Sequence, residues 1–537
     1  MKENLIEAIN VALKSVGYNG EIPVELSIPK QKENGDFSTN IAMKLAGILH
    51  DNPLNLAQRI VKYIECSSIK DIEIKQPGFI NFFVNKDYVI DNIKEVLKLK
   101  ENYGRNTIGD GKKINIEFVS ANPTGILHLG NARGGAYGDS LARIMRFCGF
   151  DVTSEYYIND AGNQINNLGE SIKARYYEIC GKNYNFPENG YHGKEIIDIA
   201  QEIYDEHKDE YLNQGIDYYK QLGTEKLLNR IIDDLKKYRI NYDVFTSEKA
   251  IAQKYGLDNI IKELADNGYT YTQDGATWFK CSSIYDDKDH VLIKDDNSYT
   301  YLVPDIAYHK DKYSRGYDKM IDILGTDHHG YVARLKSSVK AIGNDPEKLE
   351  VKLLQLVRLV DNGEVVKMSK RTGKSITLND LIDEVGVNAA RYYFAKYSLD
   401  TQMDFDLNLA KSKSNENPVY YVCYAYARIC SILKETNDND EIPDKFETLN
   451  DEWTYNVLEK VYAFKDVVKT AAIKELPHLI INYVYELASL FHTYYGKNKV
   501  ITDEDEKTKE NICVIKCVKY TIYNALNLVG VIPPERM

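Results

Sequence analysis

The sequence predicts an α/β protein whose central part is a parallel sheet, with a small α+β module before it and an all-α domain after it. Branched and polar residues alternate over 114–119, as in a short β-strand, and apolar residues then recur at helical spacing from 141 to 148. A second strand pattern follows over 151–158. A strand, a helix and a strand in that order imply parallel pairing with a right-handed crossover. From Asn388 onward the pattern is almost wholly helical.

The composition is that of a globular protein. The 537 residues are 43% hydrophobic and 28% charged, which predicts roughly three or four domains. Because the chain has no run of about 18 apolar residues, no membrane span is expected. The first residues lack the long apolar core of a secretory signal, which predicts a cytoplasmic protein.

The charge balance and the cysteines exclude further classes. With 68 basic and 80 acidic residues the net charge is −12, so the chain does not coat nucleic acid indiscriminately, and DNA is not an expected partner. Local basic and aromatic surfaces leave room for a specific RNA ligand. The eight cysteines include no CxxC pair, and Cys513 and Cys517, one helical turn apart, indicate core packing. No metal site is therefore expected.

The N-terminal 86 residues form the predicted α+β module. Met1–Val16 has the pattern of an amphipathic helix, and Asp71–Ile74 and Phe79–Val84 have strand patterns on either side of a Gln-Pro-Gly turn. Residues 87–112 are predicted to be a connecting helix followed by a linker rich in glycine and charge.

The stretch Glu117–Arg133, EFVSANPTGILHLGNAR, joins the first strand of the predicted sheet to its helix. A glycine-bearing loop at a helix N-terminus favours phosphate binding, because unpaired N–H groups and the helix dipole point at one spot. His128, two positions before Gly130, adds a hydrogen-bond donor there. An ordinary turn between a strand and a helix is the alternative.

The next part of the chain is predicted to be a helical insertion over about 164–265, between two halves of the sheet. Strand patterns then return at Thr277–Lys280, Val291–Lys294 and Tyr299–Val303, joined by turns rich in Asp and Asn.

A second ligand-binding edge is predicted further along the sheet. Met320–Leu324 is a buried-strand pattern that runs into the polar loop 325–330, and Val351–Val360 is predicted to be another strand. Polar loops after parallel strands lie at the carboxyl edge of a sheet, where ligands bind. Thr377 is predicted to cap the next helix, with Asp380 as the acidic partner of a capping box.

The ordered motifs resemble a known family. A His-x-Gly-x signature at residues 128–131, followed by Lys-Met-Ser-Lys-Arg at 367–371, is similar to the signature pair of class I aminoacyl-tRNA synthetases. The segments EFVSANPTG, YYINDAGNQ and NENPVYY resemble, more narrowly, the arginyl-tRNA synthetases. The resemblance extends over nearly the whole chain.

This resemblance implies a domain plan. It comprises an N-terminal tRNA-contacting module at 1–86 and a Rossmann-type parallel-sheet catalytic domain at 113–411, which carries the basic signature loop 367–371. A helical anticodon-binding domain follows at 412–537. The family is mostly monomeric, so a monomer is expected.

The resemblance also implies the reaction. The arginine carboxylate attacks the α-phosphate of ATP, supplied with Mg2+, and pyrophosphate leaves. A ribose hydroxyl at the 3′ end of tRNA(Arg) then takes the arginyl group. Such transfers are catalysed mainly by positioning and by donors aimed at developing negative charge.

The residues implied for catalysis are His128, Asn131 and Lys370, of which Lys370 neutralises the triphosphate as pyrophosphate leaves. Those implied for ATP binding are His128, Gly130, Asn131, Lys367, Met368, Lys370 and Asp327. Asp327 is equally placed to contact the ATP ribose or arginine, and the sequence leaves both open.

Asn131 departs from the class pattern, in which the signature ends in a second histidine. An asparagine amide still donates a hydrogen bond but cannot carry positive charge. We therefore expect weaker transition-state stabilisation by this side chain, compensated by the helix N-terminus.

Arginine selection needs carboxylates in a fork, because a guanidinium is planar, always charged and best held by paired acceptors. By resemblance the candidates are Glu117 and Asp305, while Asn122 and Tyr301 place the polar groups and the aliphatic stem. A lone acid on a strand usually faces solvent, so Glu117 depends heavily on the family match.

Three residues of the N-terminal module fall where the family contacts the D-loop of tRNA: Gln76, Phe79 and Asn81. An aromatic ring with two amides suits a splayed base, by stacking and by edge contacts. The alternative is that Phe79 belongs to the core of the module.

Two other functions are open from sequence alone. One is a synthetase for another amino acid, which the carboxylate pair disfavours. The other is a non-catalytic tRNA-binding relative, suggested by Asn131 and disfavoured by the intact segment Lys367–Arg371.

Overall fold

A computed structural model describes residues 2–20, 22–27, 29, 31–326, 330–366, 376–436 and 441–537. It divides into two compact units. The smaller unit comprises Met1–Tyr103, Ile429–Ala463 and Ser489–Thr521, and the larger comprises Gly104–Arg428, Phe464–Ala488 and Ile522–Met537.

The strands, in chain order, are β1 (Phe37–Thr39), β2 (Ile69–Lys75), β3 (Phe79–Val84), β4 (Lys113–Glu117), β5 (Asp151–Ile158), β6 (Val244–Ser247), β7 (Thr270–Gln273), β8 (Ala276–Phe279), β9 (His290–Ile293), β10 (Lys319–Gly325), β11 (Leu349–Leu354), β12 (Val357–Asp361), β13 (Glu364–Val365) and β14 (Met403–Asp406).

The α-helices, in the same order, are α1 (Lys2–Ser15), α2 (Ile41–Leu49), α3 (Pro53–Val61), α4 (Lys86–Leu99), α5 (Leu129–Phe147), α6 (Gly162–Ile179), α7 (Lys194–His207), α8 (Ile216–Lys237), α9 (Glu248–Tyr255), α10 (Leu257–Asp266), α11 (Leu302–Ser314), α12 (Tyr331–Ala341), α13 (Leu378–Ala395), α14 (Leu407–Lys411), α15 (Pro418–Glu435), α16 (Glu452–Tyr462), α17 (Phe464–Lys474), α18 (His478–Lys497) and α19 (Asp505–Leu528). Over the residues that the structure describes, none of these helices is long and apolar enough to cross a membrane.

The smaller unit contains a three-stranded antiparallel sheet in the order β1-β3-β2. Ile80 and Phe82 of β3 are fully buried, which confirms the predicted α+β character of the N-terminal module. The unit also includes α16, which packs against α4. The division into units cuts through α15, α18 and α19, so the predicted domain boundaries at 86, 113 and 412 stay predictions.

The larger unit is built on a five-stranded parallel sheet in the order β11-β10-β4-β5-β6. The chain starts at β4 in the middle, runs outward through β5 and β6, and returns to the other side of β4 with β10 and β11. This arrangement is doubly wound, and it confirms the Rossmann-type parallel sheet that the sequence predicted. It creates a topological switch point between β4 and β10, and ligands bind beyond the carboxyl ends of the strands there.

The predicted insertion between the halves of the sheet is helical over α6, α7 and α8, which share a core of their own. Strand β6, however, lies inside the range 164–265 and forms the edge of the main sheet. The prediction missed it because an edge strand of four residues is too short for its alternation to stand out from the helical pattern around it.

Two further strand predictions need correction. Val351–Val360 is not one strand but the end of β11 and most of β12, which belong to different sheets. The chain passes between the sheets at Gln355–Leu356, where the Gln355 carbonyl accepts a hydrogen bond from buried Arg133 (2.9 Å). The predicted strand Tyr299–Val303 instead ends in the first turn of α11, whose Leu302 and Val303 enter the core as strand residues would.

Helix α5 packs closely against the loop that follows β4. A Cβ atom at Gly138 would lie 2.3 Å from Cγ of Phe118, so no side chain fits there without a shift of the ring or the helix. At Gly134, one turn earlier on the same helix, the nearest atom would be Leu354 Cδ2 at 3.5 Å, an ordinary contact.

We expect Gly138→Ala to lower the free energy of unfolding by about 1–3 kcal/mol, because the added methyl overpacks a close contact. Gly134→Ala is the matched control. It adds the same methyl to the same helix, where helix propensity alone stabilises by up to about 1 kcal/mol. Urea unfolding of both variants measures the difference, and an equal effect at the two positions would contradict the close packing.

Candidate active site

His128 caps the N-terminus of α5 at the carboxyl edge of β4. Its backbone is extended, and its Nδ1 accepts a hydrogen bond from the N–H of Gly130 (3.1 Å). Partial burial lowers the pKa of His128, which favours the neutral ring at pH 7. Because Nδ1 is the acceptor, the proton of the neutral ring lies on Nε2. His128 therefore presents one N–H donor at a helix N-terminus, as a phosphate oxygen requires.

Asn131 has a defined role in holding this arrangement. Its Oδ1 accepts a hydrogen bond from the backbone N–H of His128 (3.0 Å), so the two residues cap the helix reciprocally. Among the residues that the structure describes, the NH2 group of Asn131 makes no hydrogen bond, so both of its donors remain. The departure from the class signature thus retains a helix cap, although it adds no charge.

The start of α13 lies directly beside His128. Thr377 forms an isolated antiparallel bridge with His128, and the N–H of Leu378 donates to the carbonyl of Leu127 (2.8 Å). The predicted capping box is confirmed, because Thr377 Oγ1 accepts from Asp380 N (3.0 Å) and Asp380 accepts from Thr377 N (2.9 Å). The chain at Thr377 and Leu378, which follows the basic loop, is therefore anchored next to the capped turn at His128.

A cavity of about 220 Å³ lies between the start of α5 and the flanks of the basic loop. It is lined by Leu129, Val357, Arg358, Leu359, Val365, Val366 and Ile376. The predicted ATP-binding residues Asp327, Lys367, Met368 and Lys370 lie outside the described residues, so their places are not assigned.

Glu117, the last residue of β4, is buried, and both of its carboxylate oxygens accept hydrogen bonds. Its Oε2 accepts from Lys312 Nζ (2.5 Å) and from the hydroxyl of Tyr308 (2.9 Å), and its Oε1 accepts from Ser120 Oγ (2.9 Å). Burial raises the pKa of Glu117, and the neighbouring charge of Asp322 raises it further, while Lys312 opposes both. This carboxylate is less open to a guanidinium than the predicted fork requires.

Lys312, on α11, binds carboxylates from two neighbouring strands of the sheet. Asp322 of β10 lies in register with Glu117, and Lys312 Nζ also binds its Oδ1 at 2.6 Å. The ammonium is fully buried, so its two carboxylate partners are what keep it charged. The Lys312 charge is in turn the main cause that holds the pKa of Asp322 far below its usual value.

His309 completes this cluster from α11. Its Nε2 lies 2.9 Å from Asp322 Oδ2 and its Nδ1 lies 2.8 Å from the carbonyl oxygen of Asp305. Since both partners are acceptors, both ring nitrogens donate, and the Asp322 contact raises the pKa of His309 despite burial. Two cations, Lys312 and His309, thus balance two carboxylates.

A second group of acids lies near the start of α11, where Asp305 occupies the first turn. The Asp305 carboxylate accepts a hydrogen bond from the hydroxyl of Tyr331. Glu248, at the start of α9, accepts from the hydroxyl of Tyr157 (3.1 Å). Burial, together with the charges of Asp305 and Asp160, raises the pKa of Glu248 to about 7, although the hydrogen bond from Tyr157 opposes the shift. Sequence reasoning missed Glu248, because its only local signal is an acid at a helix N-terminus.

The remaining predicted arginine contacts are the exposed Tyr301 and the half-buried Asn122, both in the larger unit. Tyr301 is 64% exposed, its ring centroid lies 5.7 Å from that of Tyr331, and its hydroxyl accepts from Arg334 (2.6 Å). Asn122, in the loop after β4, donates to Gln164 Oε1 (2.7 Å). Tyr301 and Asp305 are thus joined through Tyr331, whereas Glu117 belongs to the buried cluster.

The three predicted tRNA contacts lie in the smaller unit. Phe79 is 40% exposed on β3, so it is not core, and Gln76 lies exposed in the turn before it. Asn81, two residues along the same strand, is buried. The exposed ring agrees with a stacking role, while the burial of Asn81 leaves less of its amide for a ligand.

Family models match three parts of the chain. The model described as "tRNA synthetases class I (R), catalytic domain" matches residues 92–405, an "Arginyl tRNA synthetase N terminal domain" matches 3–84, and a "DALR anticodon binding domain" matches 422–537. Together with the doubly wound sheet and the capped His-x-Gly turn at its edge, they define a class I aminoacyl-tRNA synthetase.

Comparisons with individual proteins identify the family within this class. The arginine–tRNA ligase of Bacillus licheniformis is 47% identical over 553 aligned residues, covering 100% of this chain and 99% of the relative. That of Bacillus subtilis is 46% identical, with the same coverage. The solved arginyl-tRNA synthetase of Thermus thermophilus shares the fold with a TM-score of 0.78 and 19% identity, over 100% of both chains. The chain belongs to the arginyl-tRNA synthetase family.

We expect Lys312→Met to lower the free energy of unfolding by about 3–5 kcal/mol, because it leaves two buried carboxylates without their shared cation. Lys310→Met is the control, two residues away on α11. Lys310 pairs with Glu263, and both side chains are about one-third exposed, so its loss costs at most about 1 kcal/mol. Urea unfolding measures both, and similar losses would contradict the central place of Lys312.

Proposed function

We propose that this chain activates L-arginine with ATP, supplied as its Mg2+ complex, and transfers the arginyl group to the 3′ end of tRNA(Arg). The observation that carries the proposal is that the capped helix N-terminus at His128 and a group of acids near Asp305 lie in the larger unit, in the part that matches the class I catalytic-domain model. Full-length similarity to arginine–tRNA ligases supports the same substrates.

The nucleotide is proposed to bind at the start of α5. The Nε2–H of His128, the amide of Asn131 and the helix N-terminus are donors for the phosphates, and Gly130 keeps the turn small. The apolar cavity between Leu129 and Ile376 is suited to the flat face of the adenine ring. Lys367, Met368 and Lys370 are proposed to close over the triphosphate, and Asp327 to contact either the ribose or arginine.

The guanidinium is proposed to bind between Asp305 and Glu248. These acids come from the starts of two different helices, and each is oriented by a tyrosine hydroxyl, Tyr331 for Asp305 and Tyr157 for Glu248. Tyr301 is proposed to cover the aliphatic stem. Lysine is rejected because its point charge leaves one side of such a fork unpaired.

Glu117 and Asn122 are proposed to act at the other end of the amino acid. The buried cluster holds Glu117 at the carboxyl end of β4, where its negative charge favours the α-ammonium group. Asn122 supplies a polar contact from the loop that follows. The arginine carboxylate then lies toward the phosphate-binding turn, as attack on the α-phosphate requires.

For tRNA, we propose that residues 1–86 contact the D-loop through Phe79 with Gln76 and Asn81, and that the helical region 412–537 reads the anticodon. The exposure of Phe79 supports stacking on a splayed base. The arrangement is proposed for a monomeric protein.

The proposal is tested by arginine-dependent exchange of pyrophosphate into ATP, with and without tRNA(Arg), across a panel of amino acids that includes lysine. We expect exchange with arginine alone among them. Because the family commonly needs tRNA for activation, the decisive arm contains cognate tRNA. Silence in that arm, or equal exchange with lysine, would contradict the proposal.

The KM for arginine should fall as the pH rises from about 6 to 8. The pKa of Glu248 near 7 means that its carboxyl becomes charged over this range, and only the charged form pairs with a guanidinium. Glu248→Gln should raise the KM about 10- to 100-fold, the value of a charged hydrogen bond, and remove the pH dependence. Glu263→Gln, which removes a carboxylate from α10, serves as the control. It should leave the KM for arginine and its pH dependence unchanged.

Phe79→Ala should weaken binding of tRNA(Arg) about 5- to 100-fold, the cost of one stacked base. The ring is already exposed, so the fold should survive. Tyr63→Ala, another exposed aromatic residue of the smaller unit, is the control and should bind tRNA normally. Filter binding of labelled tRNA at fixed salt measures both affinities. Equal affinities of the Phe79 variant and the unmodified protein would show that Phe79 does not contact tRNA.

A further inference from the structure

The turn between β8 and β9 brings together a cysteine, an aspartate and a histidine that the proposed reaction does not use. Cys281 is fully buried, and the side chains of Asp286 and His290 are only 6% and 13% exposed. One potential ligand atom from each lies within 4.8 Å of the others. The spacing Cys-x4-Asp-x3-His is not a familiar metal motif, which is why the sequence did not single it out.

The distances are close to those of a metal site. Asp286 Oδ2 lies 2.9 Å from His290 Nε2. Ligands around a tetrahedral Zn2+ lie about 3.4–3.6 Å apart, given Zn–S near 2.3 Å and Zn–N or Zn–O near 2.0–2.1 Å. The three groups therefore need shifts of about 1 Å or less to surround one ion. Thiolate, imidazole and carboxylate are also the ligands that Zn2+ accepts.

The surroundings of the trio hold it in place and favour a cation. Asp289 accepts hydrogen bonds from the N–H (3.0 Å) and Oγ (2.6 Å) of Ser282, which fixes the turn just after Cys281. Its charge adds to those of Asp286 and of a Cys281 thiolate. Arg334 and Lys288 are nearby cations that oppose this negative charge. Burial raises the pKa of the Cys281 thiol well above its usual value, so the thiolate would form only as an ion binds and the proton leaves.

We propose that Cys281, Asp286 and His290 bind one divalent transition-metal ion, Zn2+ by preference, with water as a fourth ligand. The role is structural. The N–H of Tyr285, inside the turn, donates to Ser337 Oγ of α12 (3.2 Å), and α12 carries Tyr331 and Arg334, which contact Asp305 and Tyr301. A bound ion would hold the turn against the helix that borders the proposed arginine pocket.

The experiment uses the purified full-length chain, stripped with a chelator, loaded with Zn2+ and desalted. We expect about one zinc per chain by elemental analysis, and less than about a tenth in Cys281→Ser and His290→Asn. Cys66→Ser, which removes a cysteine of the smaller unit, is the matched control and should keep its zinc.

Cobalt identifies the ligands independently. Co2+ added to the stripped protein should give a thiolate-to-metal charge-transfer band that is present in Cys66→Ser and absent from Cys281→Ser. Far-UV circular dichroism checks that each variant is folded, and Asp286→Asn replaces Cys281→Ser if the latter is not. Failure of the unmodified chain to retain zinc, or zinc and the cobalt band persisting in folded variants of the trio, would show that the group is only a hydrogen-bonded turn.

Discussion

The larger unit depends on the two ion pairs that the buried ammonium of Lys312 forms with Glu117 and Asp322. Parallel pairing of β4 with β10 places Glu117 and Asp322 side by side, and two carboxylates at that distance repel each other in a medium of low dielectric constant. Lys312 binds both, and His309 binds Asp322 from the same helix. The cluster therefore ties α11 to the sheet, because Lys312 and His309 of this helix bind carboxylates of both strands.

Two regions of the larger unit differ in electrostatic character. Asp305, in the first turn of the helix, lies among acids that suit a guanidinium, whereas His128 and the N-terminus of α5 offer neutral and partial positive donors that suit phosphates. This difference supports the proposal that arginine binds with its guanidinium at the acids and its carboxylate toward the turn at His128.

The structure gives a physical reason for asparagine, rather than the second signature histidine, at position 131. A helix N-terminus needs acceptors for its first N–H groups, and the Asn131 side chain supplies one to His128 while its amide remains a donor. Asn131 therefore does not support the alternative that the chain is a non-catalytic tRNA-binding relative. The tautomer of His128 follows from the same cap, because Gly130 occupies Nδ1.

The sequence by itself determined the α/β class, the strand–loop–helix around His128, the capping box at Thr377 and the family, because each depends on local periodicity or on short ordered motifs. It placed Asp305 and Tyr301 as candidates but did not find Glu248, Lys312 or the trio at Cys281. Those groups are assembled by residues far apart in the chain or by a turn without a known spacing. Edge strand β6 and the break at Gln355 were also decided by tertiary pairing, because sheet membership depends on partners that no local pattern records.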